Sequence, residues 1–152
     1  MPVALLVPAL QLLNPMPGVV TQDAHAEHPA LDIACAVGTP VRAAHDGVAT
    51  VVRSHTHGNT VVLVGNNGLE TSYSHLHSTQ APGTYKRGDL IGLCGNTGIW
   101  TTGPHLHFET NRPALLSNLD TSFYSDIAQQ PSTPSAELTG IGGSPAALAG
   151  QN

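Results

Sequence analysis

Three short stretches put histidine where metal chemistry needs it: His28-Pro-Ala-Leu-Asp32, Tyr73-Ser-His75-Leu-His77 and Gly103-Pro-His105-Leu-His107-Phe-Glu109, the last approached by Gly95-Asn-Thr-Gly98. Side chains on an extended strand alternate between faces, so His105 and His107 share one surface while Leu106 and Phe108 face the other. The even separation of His28 and Asp32 likewise puts them on one side of an extended segment. If the two pairs converge, the chain offers two imidazole nitrogens and a carboxylate to one divalent ion, with further histidines left over for proton transfer. That is the composition of an open, catalytic zinc site. Glu109 falls on the same face as His107; it either takes the far N–H of a ligand ring or is a solvated strand residue.

Other routes to hydrolysis are missing. The chain has no His-Glu-x-x-His helix, no Gly-x-Ser-x-Gly elbow and no Gly-x-x-x-x-Gly-Lys phosphate loop, so a histidine must serve as the base. Nine histidines stand against five Lys+Arg, and histidine is both the commonest metal ligand and the side chain that titrates near neutrality. A formal charge of -5 without any basic cluster argues against nucleic acid or a membrane surface as partner. Cys35 and Cys94 are too few for a thiolate zinc knuckle; a disulfide and two buried thiols both remain open. His25, His45, His55 and His57 sit in turn or strand-end contexts and are expected at the surface. Trp100 either stacks on a substrate or caps the core.

The elements that must position these groups are strands. With 152 residues, 16 Gly, 12 Pro and only 4% aromatics, the composition favours one all-β domain of short strands joined by tight turns. Strands are predicted at 48–53, 60–65, 70–76, 90–94 and 105–110. Between them lie Asp46-Gly47, His57-Gly58-Asn59, Asn66-Asn67-Gly68, Lys86-Arg87-Gly88-Asp89 and Gly95-Asn96-Thr97-Gly98, each able to close a reversal. No long segment carries a helical period. On a strand, Tyr73, His75 and His77 would line one face.

With these residues in view, the chain resembles the lysostaphin/LytM-type zinc endopeptidases of bacterial cell walls. The family's His-x-x-x-Asp pair, Tyr-x-His-Leu strand and closing His-Leu-His-Phe-Glu occur here in that order. The joining segments Gly38-Thr-Pro-Val-Arg-Ala-Ala, Asp46-Gly47-Val48, Gly58-Asn59-Thr-Val, Lys86-Arg-Gly-Asp-Leu-Ile-Gly92 and Gly95-Asn-Thr-Gly98 are similar too. The resemblance implies an antiparallel, barrel-sandwich-like core with a duplicated hybrid motif and little helix. It implies one Zn2+ held by His28, Asp32 and His107, with His75 and His105 as the non-ligand catalytic pair and peptidoglycan peptides as substrate. Ala30 replaces a glycine usual between the first two ligands, an upstream Arg is missing, and His77 stands where a small residue is common.

The expected organisation is an apolar arm over 1–14, an endopeptidase domain over 15–112 and a low-complexity C-terminal extension over 113–152. The start Met1-Pro-Val-Ala-Leu-Leu-Val has no basic n-region and reads as a packed arm, not a leader. A wall hydrolase without an export signal points to a bacteriophage product, carried on the virion or released by a partner, its extension bound to tail proteins. The alternatives are a secreted bacterial enzyme and a non-catalytic wall- or partner-binding module of the same fold. Gly-Thr-Pro-Val-Arg-Ala also resembles biotin- or lipoate-carrier domains, but the carrier lysine is missing from the hairpin tip.

Overall fold

A computed structural model describes residues 1–4 and 9–128; most of the low-complexity extension, from residue 129 on, lies outside the described residues. Ten antiparallel strands form two sheets: β1 (Val20–Gln22), β2 (Ala30–Ala34), β3 (Pro40–Arg42), β4 (Gly47–Ser54), β5 (Gly58–Val64), β6 (Glu70–Leu76), β7 (Ser78–Thr79), β8 (Gly83–Tyr85), β9 (Leu90–Leu93) and β10 (His105–Thr110). The larger sheet runs β1-β2-β10-β6-β5-β4-β8, and the smaller runs β3-β9-β7. Among the described residues one α-helix, α1 (Ser122–Ala128), follows a 3-10 turn at Pro113–Ser117. No helix of the described residues is long and apolar enough to cross a membrane.

The core lies between the sheets. Ala49, Val61, Leu63, Tyr73, Leu106 and Phe108 from the large sheet meet Val41, Ile91 and Cys94 of the small-sheet side, all almost inaccessible to water. Leu12, Leu13 and Met16 are also fully buried, as is Leu116 nearly so. The packed unit therefore draws side chains from both sides of the expected 15–112 span. A bridge between Leu13 and Asp120 ties the two ends together, and an Arg87–Asp120 ion pair at 2.8 Å fastens the C-terminal end to the turn before β9.

Two sequence expectations are corrected. Tyr73, His75 and His77 do not share a face. Tyr73 is buried in the core, His75 faces the opposite side and His77 is exposed. The cause is local: His75 has φ +63°, a left-handed conformation that is costly for a residue with a Cβ. It coincides with a register shift where β6 pairs with β5, and together they break the alternation. His45, expected at the surface, is 6% exposed.

His45 closes a buried chain of hydrogen bonds. The Ala44 amide donates to the Tyr73 hydroxyl at 2.9 Å, which is 2.8 Å from Thr71 Oγ1, in turn 2.8 Å from His45 Nε2. His45 Nδ1 lies 2.8 Å from the Asp46 carbonyl, which can only accept, so the proton of the neutral ring sits on Nδ1 and Nε2 accepts from Thr71. Burial lowers the His45 pKa, and the opposing pull of Asp46 does not restore it.

Cys35, just after β2, is disulfide-bonded to Cys94, just after β9. The bond joins the two sheets beside the loop that follows β9.

Two outcomes follow from these features. Because folding depresses the His45 pKa from its ordinary 6.5, the unfolded chain binds the proton more readily. The penalty is nil above that value and grows as pH falls through it, by at most about 1.4 kcal/mol per pH unit. Thermal melts of the metal-free protein between about pH 7.5 and 5.5 should therefore lose less stability in His45→Gln than in the native chain. Replacing both Cys35 and Cys94 by Ser opens a loop closed across a separation of 59 residues and should cost about 4 kcal/mol in a denaturant titration.

Candidate metal centre

The centre is built on β10. Its residues alternate between half-exposed and buried, so His105, His107 and Glu109 face outward while Leu106, Phe108 and Thr110 anchor the strand in the core. β2 lies on one side, with Asp32 directly opposite His107; β6 lies on the other, with Ser74 opposite His107. Leu31 and Ile33, both buried, flank Asp32 and fix the side to which it turns. His28 approaches from the turn before β2, where its backbone exchanges two hydrogen bonds with His25 at 2.8 and 2.9 Å.

Three donors converge. His107 Nδ1 is 3.0 Å from Asp32 Oδ1, and His28 Nε2 is 3.2 Å from Asp32 Oδ2. All three ligand atoms lie within 4.8 Å of one another, the one such group among the described residues. The shorter separations match the roughly 3.3 Å edge of a tetrahedron with bonds near 2.0–2.1 Å. Two imidazole nitrogens and one carboxylate oxygen suit zinc and leave a fourth position open. His107 Nε2 reaches Glu109 Oε1 at 3.2 Å, which leaves Nδ1 as the donor toward the site. Of the two readings of Glu109, the second-layer carboxylate is the one found. His28 Nδ1 is buried without a partner among the described residues, so that ring is oriented from its Nε2 end.

His75 and His105 stand beside the donors, their ring centroids 4.7 Å apart. Each is held from behind by a carbonyl. His75 Nδ1 donates to the Thr97 carbonyl at 2.7 Å, and His105 Nδ1 to the Gly103 carbonyl at 2.8 Å. A carbonyl only accepts, so in the neutral form each ring carries its proton on Nδ1 and leaves Nε2 as the acceptor. His105 Nε2 is 3.6 Å from Asp32 Oδ1.

The charges are mutually tuned. Burial alone would raise the Asp32 pKa, but the hydrogen bond from His107 and the potential of His105, His107 and His28 hold it below its usual value. Burial works against protonated His107, yet its bonds to Asp32 and Glu109 raise its pKa on balance. The His75 pKa is lowered by burial, reinforced by His105, His107 and His57. A neutral His75 near pH 7 is able to accept a proton.

One histidine expected at the surface is part of this group. The His57 ring lies 5.3 Å from that of His107 and 5.8 Å from that of His75. Trp100 stands edge-on to His57 at 5.3 Å and is 64% exposed, so it does not cap the core. Nothing in the local His57-Gly58 turn signal marks this role, which arises from the docking of two distant loops.

The sequence profile described as peptidase family M23 matches residues 26–119, well over half of the chain. The chain belongs to that family. The M23 domain here is 48% identical over 61 residues to the DD-carboxypeptidase/endopeptidase Mpg of Neisseria meningitidis, a match covering 39% of this chain and 14% of that relative. The chain thus spans a small part of the curated relatives it matches. A zinc-containing peptidase from Vibrio cholerae superposes with a TM-score of 0.61 at 31% identity, over 72% of this chain and 41% of the other. Lysostaphin from Staphylococcus simulans superposes with a TM-score of 0.53 at 32% identity, over 61% of this M23 chain and 40% of its own. The all-β architecture and the lysostaphin-type resemblance agree with these matches.

Elemental analysis after zinc loading and dialysis should find one zinc per native chain and close to none in Asp32→Ala or His107→Ala. Glu109→Ala removes the acceptor behind His107 and should weaken zinc binding by about ten- to a hundredfold in a competitive chelator titration.

Proposed function

We propose that this M23 domain is a zinc-dependent endopeptidase that hydrolyses peptide bonds in bacterial peptidoglycan, with His28, Asp32 and His107 as metal ligands and His75 and His105 as the catalytic pair. The observation that carries the reading is the arrangement of the two extra histidines. Each is held on Nδ1 by a backbone carbonyl; His105 Nε2 lies 3.6 Å from Asp32, and the His75 ring lies 4.7 Å from that of His105 and 5.9 Å from that of His107. A structural metal site would not need them.

A zinc ion held by the three donors supplies Lewis-acid chemistry, acidifying water and polarising the scissile carbonyl. His105, nearest to the Asp32 carboxylate, is suited to take the proton of the attacking water on Nε2. The proton taken from the water is the one the leaving amine receives, passed on by the ring that accepted it or through its neighbour 4.7 Å away, while the other ring faces the developing oxyanion; His75 and His105 can exchange these jobs. Asp32 and Glu109 keep the His107 ring oriented throughout.

The setting is read from two observations. The Cys35–Cys94 disulfide is the kind of bond that forms and persists outside the reducing cytoplasm, where the wall also lies. The similarity to the Neisseria Mpg protein favours a bacterial enzyme acting beyond the cytoplasm over virion carriage. Attachment to phage tail proteins would fall to the extension beyond residue 128, which lies outside the described residues.

His75→Ala and His105→Ala should each retain one zinc yet release peptides from purified peptidoglycan at least about a hundredfold more slowly. Native rates in both zinc-loaded variants would contradict the assignment.

A further inference from the structure

We infer that His57 and Trp100 form a substrate-binding wall of this site, His57 Nε2 hydrogen-bonding a peptide group of the substrate and Trp100 packing on the adjoining residue. The inference rests on the endopeptidase reading and adds to it two side chains that the metal and the acid–base pair do not require.

The sheet order frames the wall. On the β2 side of β10, beside Asp32 and His105, a cleft of about 340 Å³ is bordered by Thr21, Gln22, Thr102 and Pro104. On the β6 side the next feature is His57, in the turn joining β4 to β5. An extended peptide whose scissile bond lies over the three donors must pass both sides, and on the β6 side it passes His75 and the His57 ring stacked 5.8 Å from it.

The wall is built before any substrate arrives. Residues 55–57 and the loop after β9 are zipped together, with the Ile99 amide donating to the His55 carbonyl and the Trp100 amide to the Thr56 carbonyl, both at 3.0 Å. Thr97 Oγ1 accepts from the Asn59 amide at 3.1 Å and donates to the Leu76 carbonyl at 2.7 Å. Gly58 and Gly98 both have positive φ, and a Cβ on Gly98 would overlap the Thr56 carbonyl and the Gly58 amide. Only glycine allows this approach. The Trp100 main chain is thereby pinned while its indole stays 64% exposed, with Ile99 beside it at 58%. A large aromatic held on a fixed backbone beside a reaction centre needs little ordering when it binds.

His57 is half-buried, and its ring makes one hydrogen bond among the described residues, from Nδ1 to Thr56 Oγ1 at 3.1 Å. Nε2 has no protein partner there. The backbone does separate work: the His57 carbonyl accepts the His75 amide at 2.9 Å and so supports the left-handed turn of that residue. Substituting the side chain leaves this carbonyl in place. The ring's contribution can therefore be tested apart from the support of His75.

The discriminating variant is His57→Phe, which keeps an aromatic ring between Trp100 and His107 but removes the nitrogen. Two readouts are needed: KM and kcat for a soluble peptidoglycan stem peptide with the zinc-loaded enzyme, and the Kd of the same peptide for His105→Ala with and without the second change. His57→Phe should raise KM and Kd by about tenfold, the worth of one hydrogen bond, with kcat within about threefold and zinc content intact. Trp100→Ala should raise both by a similar factor. Native KM and Kd in His57→Phe would overturn the role of His57, and native values in Trp100→Ala would overturn that of Trp100. If the native protein fails to cleave but the peptide binds and loses affinity in these variants, the endopeptidase reading falls and the binding wall stands. Absence of peptide binding in every form sinks the wall itself.

Discussion

The register between β2 and β10 is the constraint on which the rest depends. His107 sits opposite Asp32, and neighbouring positions alternate between the site and the core on both strands. A slip of one residue would turn Leu106 and Phe108 outward and bury His105 and His107, since side chains on a strand repeat every two residues. Burying both imidazoles unpaired costs several kcal/mol, and exposing two large apolar side chains loses several more. The hydrophobic pattern that folds the sheet is thus the same pattern that assembles the donors.

Around that register, the other groups are attached through backbone carbonyls. Thr97 and Gly103 fix the tautomers of His75 and His105, and the His57 carbonyl holds the strained turn at His75. The loop after β9 takes part in nearly all of these contacts. Its position follows from the Cys35–Cys94 bond at its base and from the facing glycines Gly58 and Gly98. Backbone strain persists where the surroundings over-determine it. Here two hydrogen bonds and a close glycine contact do so.

Much of this was legible in the sequence, for physical reasons that differ by element. β4, β5, β6, β9 and β10 were readable because short runs rich in Val, Leu and Thr stand between Gly- and Asn-containing turns, and in β10 the apolar residues also repeat every two positions. β1, β3, β7 and β8 have two or three residues, too few for a period to show, and β2 is buried on most of its length with no alternation to read. The His28, Asp32, His105 and His107 spacing announced a site because each pair keeps an even separation. His57 and His45 could not be sorted from surface histidines: both stand beside turn glycines, and what distinguishes them is a loop or a strand far away in the chain. The face of His75 depended on a positive φ that no residue type signals, and the disulfide on a spatial proximity across 59 positions.

The proposed chemistry stands or falls on whether His28, Asp32 and His107 hold one ion with a position left for solvent. Crystallography at the zinc absorption edge on the native, zinc-loaded protein tests this most directly. One anomalous peak per chain is expected, bonded to His28 Nε2, an Asp32 oxygen and His107 Nδ1 at about 2.0–2.2 Å, with the remaining ligand not from the protein. A peak ligated by His75 or His105, or one closed by a fourth protein atom, would contradict it.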